Sequence, residues 1–275
     1  MHRHQRLSLR TPRSTSLSRA TAFNRVTVGE FFTNLKEVMT KHKFEPQSIF
    51  NIDETGVTTV HVPGRVITEK GSKEVSKVTL GERGTLVTVC CAVSAIGSSV
   101  PPFFVFPRVR VKDTMTKGAP PGSKAVAYPS GWMTGDNFEI YWDHFMKFVK
   151  CTKESPVLAI LDNHDSHITP KGIQKCKDNG IILLTLPPHT SHKLQPLDRS
   201  VFRPFKNSVD QASDDFMVNN PGKPIAIYDI PEIVAKAFLK AFTPQNITNG
   251  FLKTGISPFN SDIFTDDDFM GKLCH

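Results

Sequence analysis

A chain of 275 residues has room for one large domain or two small ones, and 39% hydrophobic residues suffice for a core. A formal net charge of +8 points to a polyanionic partner, nucleic acid before an acidic membrane surface. The five cysteines, at 90, 91, 151, 176 and 274, form no C-x-x-C and no regular spacing, which argues against a disulfide framework or a cysteine zinc site and fits a reducing intracellular compartment.

Residues 1–29 hold Arg3, Arg6, Arg10, Arg13, Arg19 and Arg25, with no acidic residue before Glu30. That composition reads as a solvated basic segment or a DNA-contacting arm. The N-terminus lacks the apolar h-region of a secretory signal. No apolar run in the chain approaches the ~20 residues of a membrane span. Apolar residues at 28, 31, 32, 35, 38 and 39 predict a helix over 27–42. A short strand follows at 49–53. Residues 86–93 and 102–106 read as two strands of an antiparallel hairpin, with the turn at 95–98. Residues 107–133 read as loop and carry Arg108, Arg110, Lys112, Lys117 and Lys124. Thr134 is a fitting N-cap for a helix to 149, with one face built from Phe138, Tyr141, Trp142, Phe145, Phe148 and Val149. An apolar strand at 157–161 precedes a helix opened by Pro170 and ended near Asn179-Gly180. Residues 181–186 form the next strand, stopped by Pro187-Pro188. Helices are expected from 196–198 onward and over 231–242. This order predicts a mixed α/β sheet flanked by helices, its first three strands antiparallel and its last two joined by a right-handed crossover.

Three aspartates stand at or just past apolar stretches. Asp53 lies in FNIDETG, Asp162 in LAILDNHDSH and Asp198 in PPHTSHKLQPLDRSVF, with 35 residues between the second and third. If the strands before Asp53 and Asp162 are parallel neighbours, their carboxylates meet at one end of the sheet, where open α/β sheets gather functional groups. A helix packed there brings in Asp198. Converging carboxylates are hard oxygen ligands suited to Mg²⁺ or Mn²⁺, and two such ions support phosphodiester cleavage. Each aspartate alone reads as a turn residue or a helix cap. Glu54 should face away from Asp53 if the strand continues. Asp165 reads as loop, and Asp210, Asp214 and Asp215 as a solvated helix face. The pairs His164/His167 and His189/His192 offer zinc as an alternative, although polar support of the acids or contact with DNA weighs more. The phosphate-binding and nucleophile-elbow signatures G-x-x-x-x-G-K-[ST], G-x-G-x-x-G and G-x-S-x-G are missing. Arg65, Lys70, Arg83, Lys193 and Arg199 are candidate phosphate contacts.

FNIDETG, LDNHDSH (161–167), LPPHTSH (186–192), QPLD (195–198) and GISPFN (255–260) together resemble the DDE endonuclease domain of pogo-like transposases, the Tigger, jerky and centromere protein B group. The likeness runs from about residue 30 to 262, with an acidic tail over 263–275. It implies an RNase H-like fold. It implies Asp53, Asp162 and Asp198 as catalytic, metal-holding triad, with aspartate in the third place. It further implies Mg²⁺ or Mn²⁺ as cofactor. DNA as partner, a homo-oligomer as a further candidate partner and the nucleus as location are also expected. Family members carry helix-turn-helix modules ahead of this domain. The start at 7–22 resembles the end of that region, so the chain is expected to be truncated at its N-terminus or a partial gene product. A domesticated DNA-binding protein without catalysis is the alternative function.

Overall fold

The computed structural model describes residues 21–60 and 84–269. Helix α1 (Arg25–His42) is capped by the Asn24 side chain, which accepts from the Thr27 N–H, and buries Val28, Phe31, Phe32 and Leu35. Strands β1 (Ile49–Thr58), β2 (Leu86–Ser94) and β3 (Ser99–Phe106) form an antiparallel meander. The two prolines of β3 cannot donate to β2, and the β2–β3 register shifts between Cys90 and Ala92, opposite them.

A fourth strand, β4 (Lys124–Ala127), pairs in parallel with β3 inside the region expected to be loop. With four residues and one buried side chain, Val126, it has too little alternation to read as a strand. Helix α2 (Gly135–Val149) takes Thr134 as its N-cap, as expected. Strand β5 (Val157–Leu161), helix α3 (Pro170–Asp178) and strand β6 (Ile181–Thr185) complete a six-stranded sheet in the order β4-β3-β2-β1-β5-β6. Strand β5 is parallel to both β1 and β6.

The sheet separates two cores, and the period-2 alternation of β1 assigns its side chains to them. Phe50 and Ile52 face α2 and α3, where they meet Phe138, Trp142, Phe145 and Cys176. Ile49 and Val57 face the other layer, which contains α1 and the C-terminal helices. Those are α4 (Ser191–Leu194), α5 (Phe202–Asn219), α6 (Ile230–Ala241) and α7 (Pro244–Thr254). Helix α7 was not anticipated from the sequence. It opens on Pro244, directly after α6, and Thr243 caps it.

The short helix α8 (Asp266–Phe269) falls in the segment read as an acidic tail, yet it packs. Phe269 stacks on Phe23 at 5.2 Å, and Lys193 pairs with Asp268 at 2.6 Å. Among the described residues, no helix is long and apolar enough to cross a membrane. Cys90, Cys91, Cys151 and Cys176 are all free thiols.

Candidate active site

Strand β1 does not stop at Asp53. It continues to Thr58 because β2 pairs with it as far as Thr58↔Leu86. What ends near Asp53 is the pairing on its other side. The β1–β5 ladder closes at Asn51↔Ile160, and β5 itself ends at Leu161. Two residues past that last pair, Asp53 and Asp162 occupy equivalent positions, the first still in β1 and the second just beyond the end of β5.

The third aspartate arrives by a different route. Asp198 sits in a turn of π-helix, Leu197–Val201, that leads into α5. Pro204, in the third place of α5, has no N–H for the Ser200 carbonyl, which leaves this segment free to widen. Helix α7 presses on it from outside. The Ser200 hydroxyl donates to the Asn246 carbonyl at 2.6 Å, and a Cβ at Gly250 would stand 2.5 Å from the Pro196 carbonyl oxygen.

Two buried amides secure this turn to the sheet. Asn51 donates through Nδ2 to the Ile160 carbonyl and accepts the Leu197 N–H at Oδ1, both at 3.0 Å. Gln195 donates to the Ile52 carbonyl at 3.3 Å. Each contact lies within two residues of one of the aspartates.

Asp162 and Asp198 line a common cleft of about 520 Å³ with Asn163, His164, Pro187, His189 and His192. Asp53 is half-buried beside it. Burial, then the charges of Asp198 and Glu54, push the Asp53 carboxyl well above its ordinary range, and a hydrogen bond from Gln195 works the other way. Asp162 adds to the same repulsion. Asp53 is therefore close enough to both other aspartates to feel their charges. Among the described residues, however, no three His, Cys, Asp or Glu side chains stand in a metal-holding group.

Glu54 faces away from Asp53, as the alternation requires, but it belongs to the same constellation. His167 is 2% exposed and lies between two acids. Its Nε2 is 2.8 Å from Glu54 Oε1, and its Nδ1 is 2.6 Å from Asp162 Oδ1, the latter without the alignment of a straight hydrogen bond. Phe138 packs on the ring at 4.3 Å. Burial alone would discharge this imidazole. Its contacts with Asp162 and Glu54 outweigh that and raise its pKa to about 10, so the ring is a cation at neutral pH. Conversely, desolvation of Asp162 is overcome by His167 and by the His164 N–H, and the carboxyl falls below its usual range.

The first histidine pair is thus engaged with carboxylates and a hydroxyl rather than set as a zinc pair. Both ring nitrogens of His167 face carboxylates, and His164 Nδ1 bonds the Ser166 hydroxyl at 2.8 Å. The expectation that these histidines support the acids fits His167, which touches Asp162, whereas the sequence does not single out Asn51. Asn51 stands two residues before Asp53, a position that acquires meaning only with its distant partners at Ile160 and Leu197.

Among the candidate phosphate contacts, Lys193 is engaged by Asp268 and lies 5.6 Å from the centre of the Phe23 ring. Arg199 is half-buried, with its Nε shielded and without a hydrogen-bond partner among the described residues. Arg65, Lys70 and Arg83 lie outside the described residues, as do residues 1–20 of the basic start.

A mixed six-stranded sheet with helices on both faces is an RNase H-like fold. The family model for DDE superfamily endonuclease matches residues 83–251, and the chain belongs to that family. The match includes Asp162 and Asp198 and begins after Asp53. A protein of Cochliobolus lunatus named MFS-type transporter clz9 is 28% identical over 239 residues, covering 86% of this chain and 26% of that protein. The human protein named Pogo transposable element with KRAB domain is 23% identical over 247 residues, covering 84% and 38%. The chain thus spans between about a quarter and two fifths of these curated relatives. The solved Mos1 mariner paired end complex with Mn superposes with a TM-score of 0.51 at 11% identity, over 94% of this chain and 68% of that one, which bears on the fold alone.

Proposed function

We propose that this domain cleaves and transfers DNA strands in a divalent-metal-dependent reaction, with Asp53, Asp162 and Asp198 as its acidic centre. The observation that carries the reading is the convergence of these carboxylates. Two line one cleft, and the third sits beside it with its charge opposed by both. Three hard oxygen donors, one of them under repulsion from the other two, match Mg²⁺ or Mn²⁺ in ligand chemistry, because a cation relieves that repulsion. When bound, two such ions supply Lewis acidity, lowering the pKa of the attacking water or 3′-hydroxyl and stabilising the leaving oxygen.

The chain's own residues prepare the cleft. His167 keeps Asp162 ionised and fixes one of its oxygens, leaving Oδ2 without a hydrogen bond among the described residues. Gln195 and Asn51 hold the Asp198 turn against the strand that bears Asp53. The net positive charge favours the DNA phosphates as substrate. A DNA substrate places the protein in the nucleus, with a second copy of the chain as partner when two strand ends are joined.

The test is nicking of supercoiled plasmid in Mn²⁺ or Mg²⁺. Asp162→Asn should abolish cleavage while DNA affinity survives, and unchanged cleavage would refute the reading. A second reading, DNA binding without cleavage, is favoured by one observation: no three described side chains form a ready metal group. A wild-type protein that binds DNA but leaves it uncut in both metals would support it.

A further inference from the structure

Strand β3 runs parallel to β1, so its C-terminal end, Phe106, lies at the same end of the sheet as Asp53 and Asp162. Two chain segments leave the sheet there. The Phe106 carbonyl accepts the N–H of Arg108 at 2.8 Å and that of Tyr128 at 2.9 Å, which fixes the two segments side by side. The first segment presents Arg108, Arg110 and Lys112, all exposed, alternating with Val109 at 81% and Val111 at 54% exposure. The second presents Tyr128 and Trp132, which is 62% exposed although the chain's other tryptophan, Trp142, is fully buried.

Trp132 is held out by a pinned turn. Gly131 adopts φ 76°, and a Cβ there would meet the Leu86 carbonyl oxygen at 2.8 Å. The Thr88 hydroxyl donates to the Gly131 carbonyl at 2.7 Å. The residue after this turn therefore has a fixed exit direction. It also leads directly into α2, whose Phe138 packs on His167. Exposed large apolar residues of this kind mark a binding surface when they cluster. Here they are interleaved with arginines and a lysine, and Asp113 is the one acid between 107 and 132.

We propose that this surface binds the unpaired strand of a DNA end at the same end of the sheet as the carboxylate cleft, with Arg108, Arg110 and Lys112 on phosphates and Trp132 stacked on a base. The inference rests on the reading of the cleft as a DNA-cleaving centre and adds where, and in what form, the DNA lies. Charge complementarity selects a polyanion, and exposed rings beside the charges select bases that are free to stack. A base-paired duplex offers such a ring no face along its length. Arg108 is already ordered for the role, with its guanidinium 5.9 Å from the centre of the Tyr228 ring.

Binding of fluorescent oligonucleotides, unpaired and duplex, tests this by anisotropy over a salt series. Asp162→Asn protein without divalent metal is used, so that cleavage does not enter. Trp132→Ala should weaken unpaired DNA about 5- to 150-fold and leave duplex affinity nearly unchanged, with most of the loss restored in Trp132→Phe. Arg108→Gln with Arg110→Gln should weaken both and flatten the salt slope for unpaired DNA by about 1.4. Circular dichroism checks that each variant folds. Unchanged affinity in folded variants, or equal losses for unpaired and duplex DNA in Trp132→Ala, would overturn the proposal while leaving the cleavage reading intact. Failure of Asp162→Asn to abolish nicking would refute the catalytic reading and leave these binding results standing.

Discussion

The Asn51 side chain accepts the backbone N–H of Leu197 at 3.0 Å, across 146 positions of sequence. Its other end holds the Ile160 carbonyl. One buried amide thus joins the strand of Asp53, the strand before Asp162 and the turn of Asp198. The three acids are assembled by a residue that is not itself one of them.

Asn51→Ala should therefore be costly. It leaves a buried N–H and a buried carbonyl without partners, each worth about 1–3 kcal/mol. Urea denaturation should show a loss of about 2–4 kcal/mol with an unchanged m-value. A loss below ~0.5 kcal/mol would show that water replaces the amide.

His167→Ala removes the cation between Glu54 and Asp162. Breaking a fully buried pair costs about 3–5 kcal/mol, and with Asp162 more than a third exposed the loss here should be nearer ~2 kcal/mol. Denaturant unfolding at neutral pH measures it. His167→Gln, which restores one donor, should recover part of the loss, whereas identical stability of the two variants would show that the ring acts through packing alone.

Gly250→Ala should displace α7 from the Asp198 turn. The new methyl would lie 2.5 Å from one backbone oxygen and 2.6 Å from the Ser200 hydroxyl, and the backbone contact cannot swing aside. Overpacking of this kind costs about 1–3 kcal/mol. Thermal unfolding should show the loss, and cleavage should fall with it. Wild-type stability would contradict the close approach.

These features also mark how far the sequence could be read. Apolar runs and turn signals located β5, β6, α2 and α3, because local period and caps carry that information. Asp53 was expected at a strand end. The strand instead runs on, since its extension is dictated by pairing with β2, which no local pattern in β1 encodes. Both β4 and α7 were missed, one too short to alternate and the other fused behind α6 by Thr243 and Pro244. Asn51 looks like an ordinary polar residue until the chain folds, because its partners lie more than 100 positions away, and so does the Glu54 partner of His167.

Acid should loosen the C-terminal helix α8. A hydrogen bond from Lys193 holds the Asp268 carboxyl below its ordinary value of 3.8. The stabilising contribution is complete above that value and is lost as pH falls through the lower, folded one. Amide protection factors over residues 264–269, that is exchange rates relative to the intrinsic rate at each pH, should fall over that acidic range in the wild type. In Lys193→Met they should already be lower at pH 7. Protection factors independent of pH in the wild type would show that Phe23, Phe264 and Phe269 hold the helix without the ion pair.

The central claim is that Asp53, Asp162 and Asp198 act together as one metal-holding centre. Calorimetric titration of Mn²⁺ into the wild type and into Asp53→Asn, Asp162→Asn and Asp198→Asn tests it most directly. The account predicts saturable binding to the wild type and a loss of at least tenfold in affinity for each variant. Wild-type affinity in Asp198→Asn would contradict it, because that aspartate would then stand outside the centre.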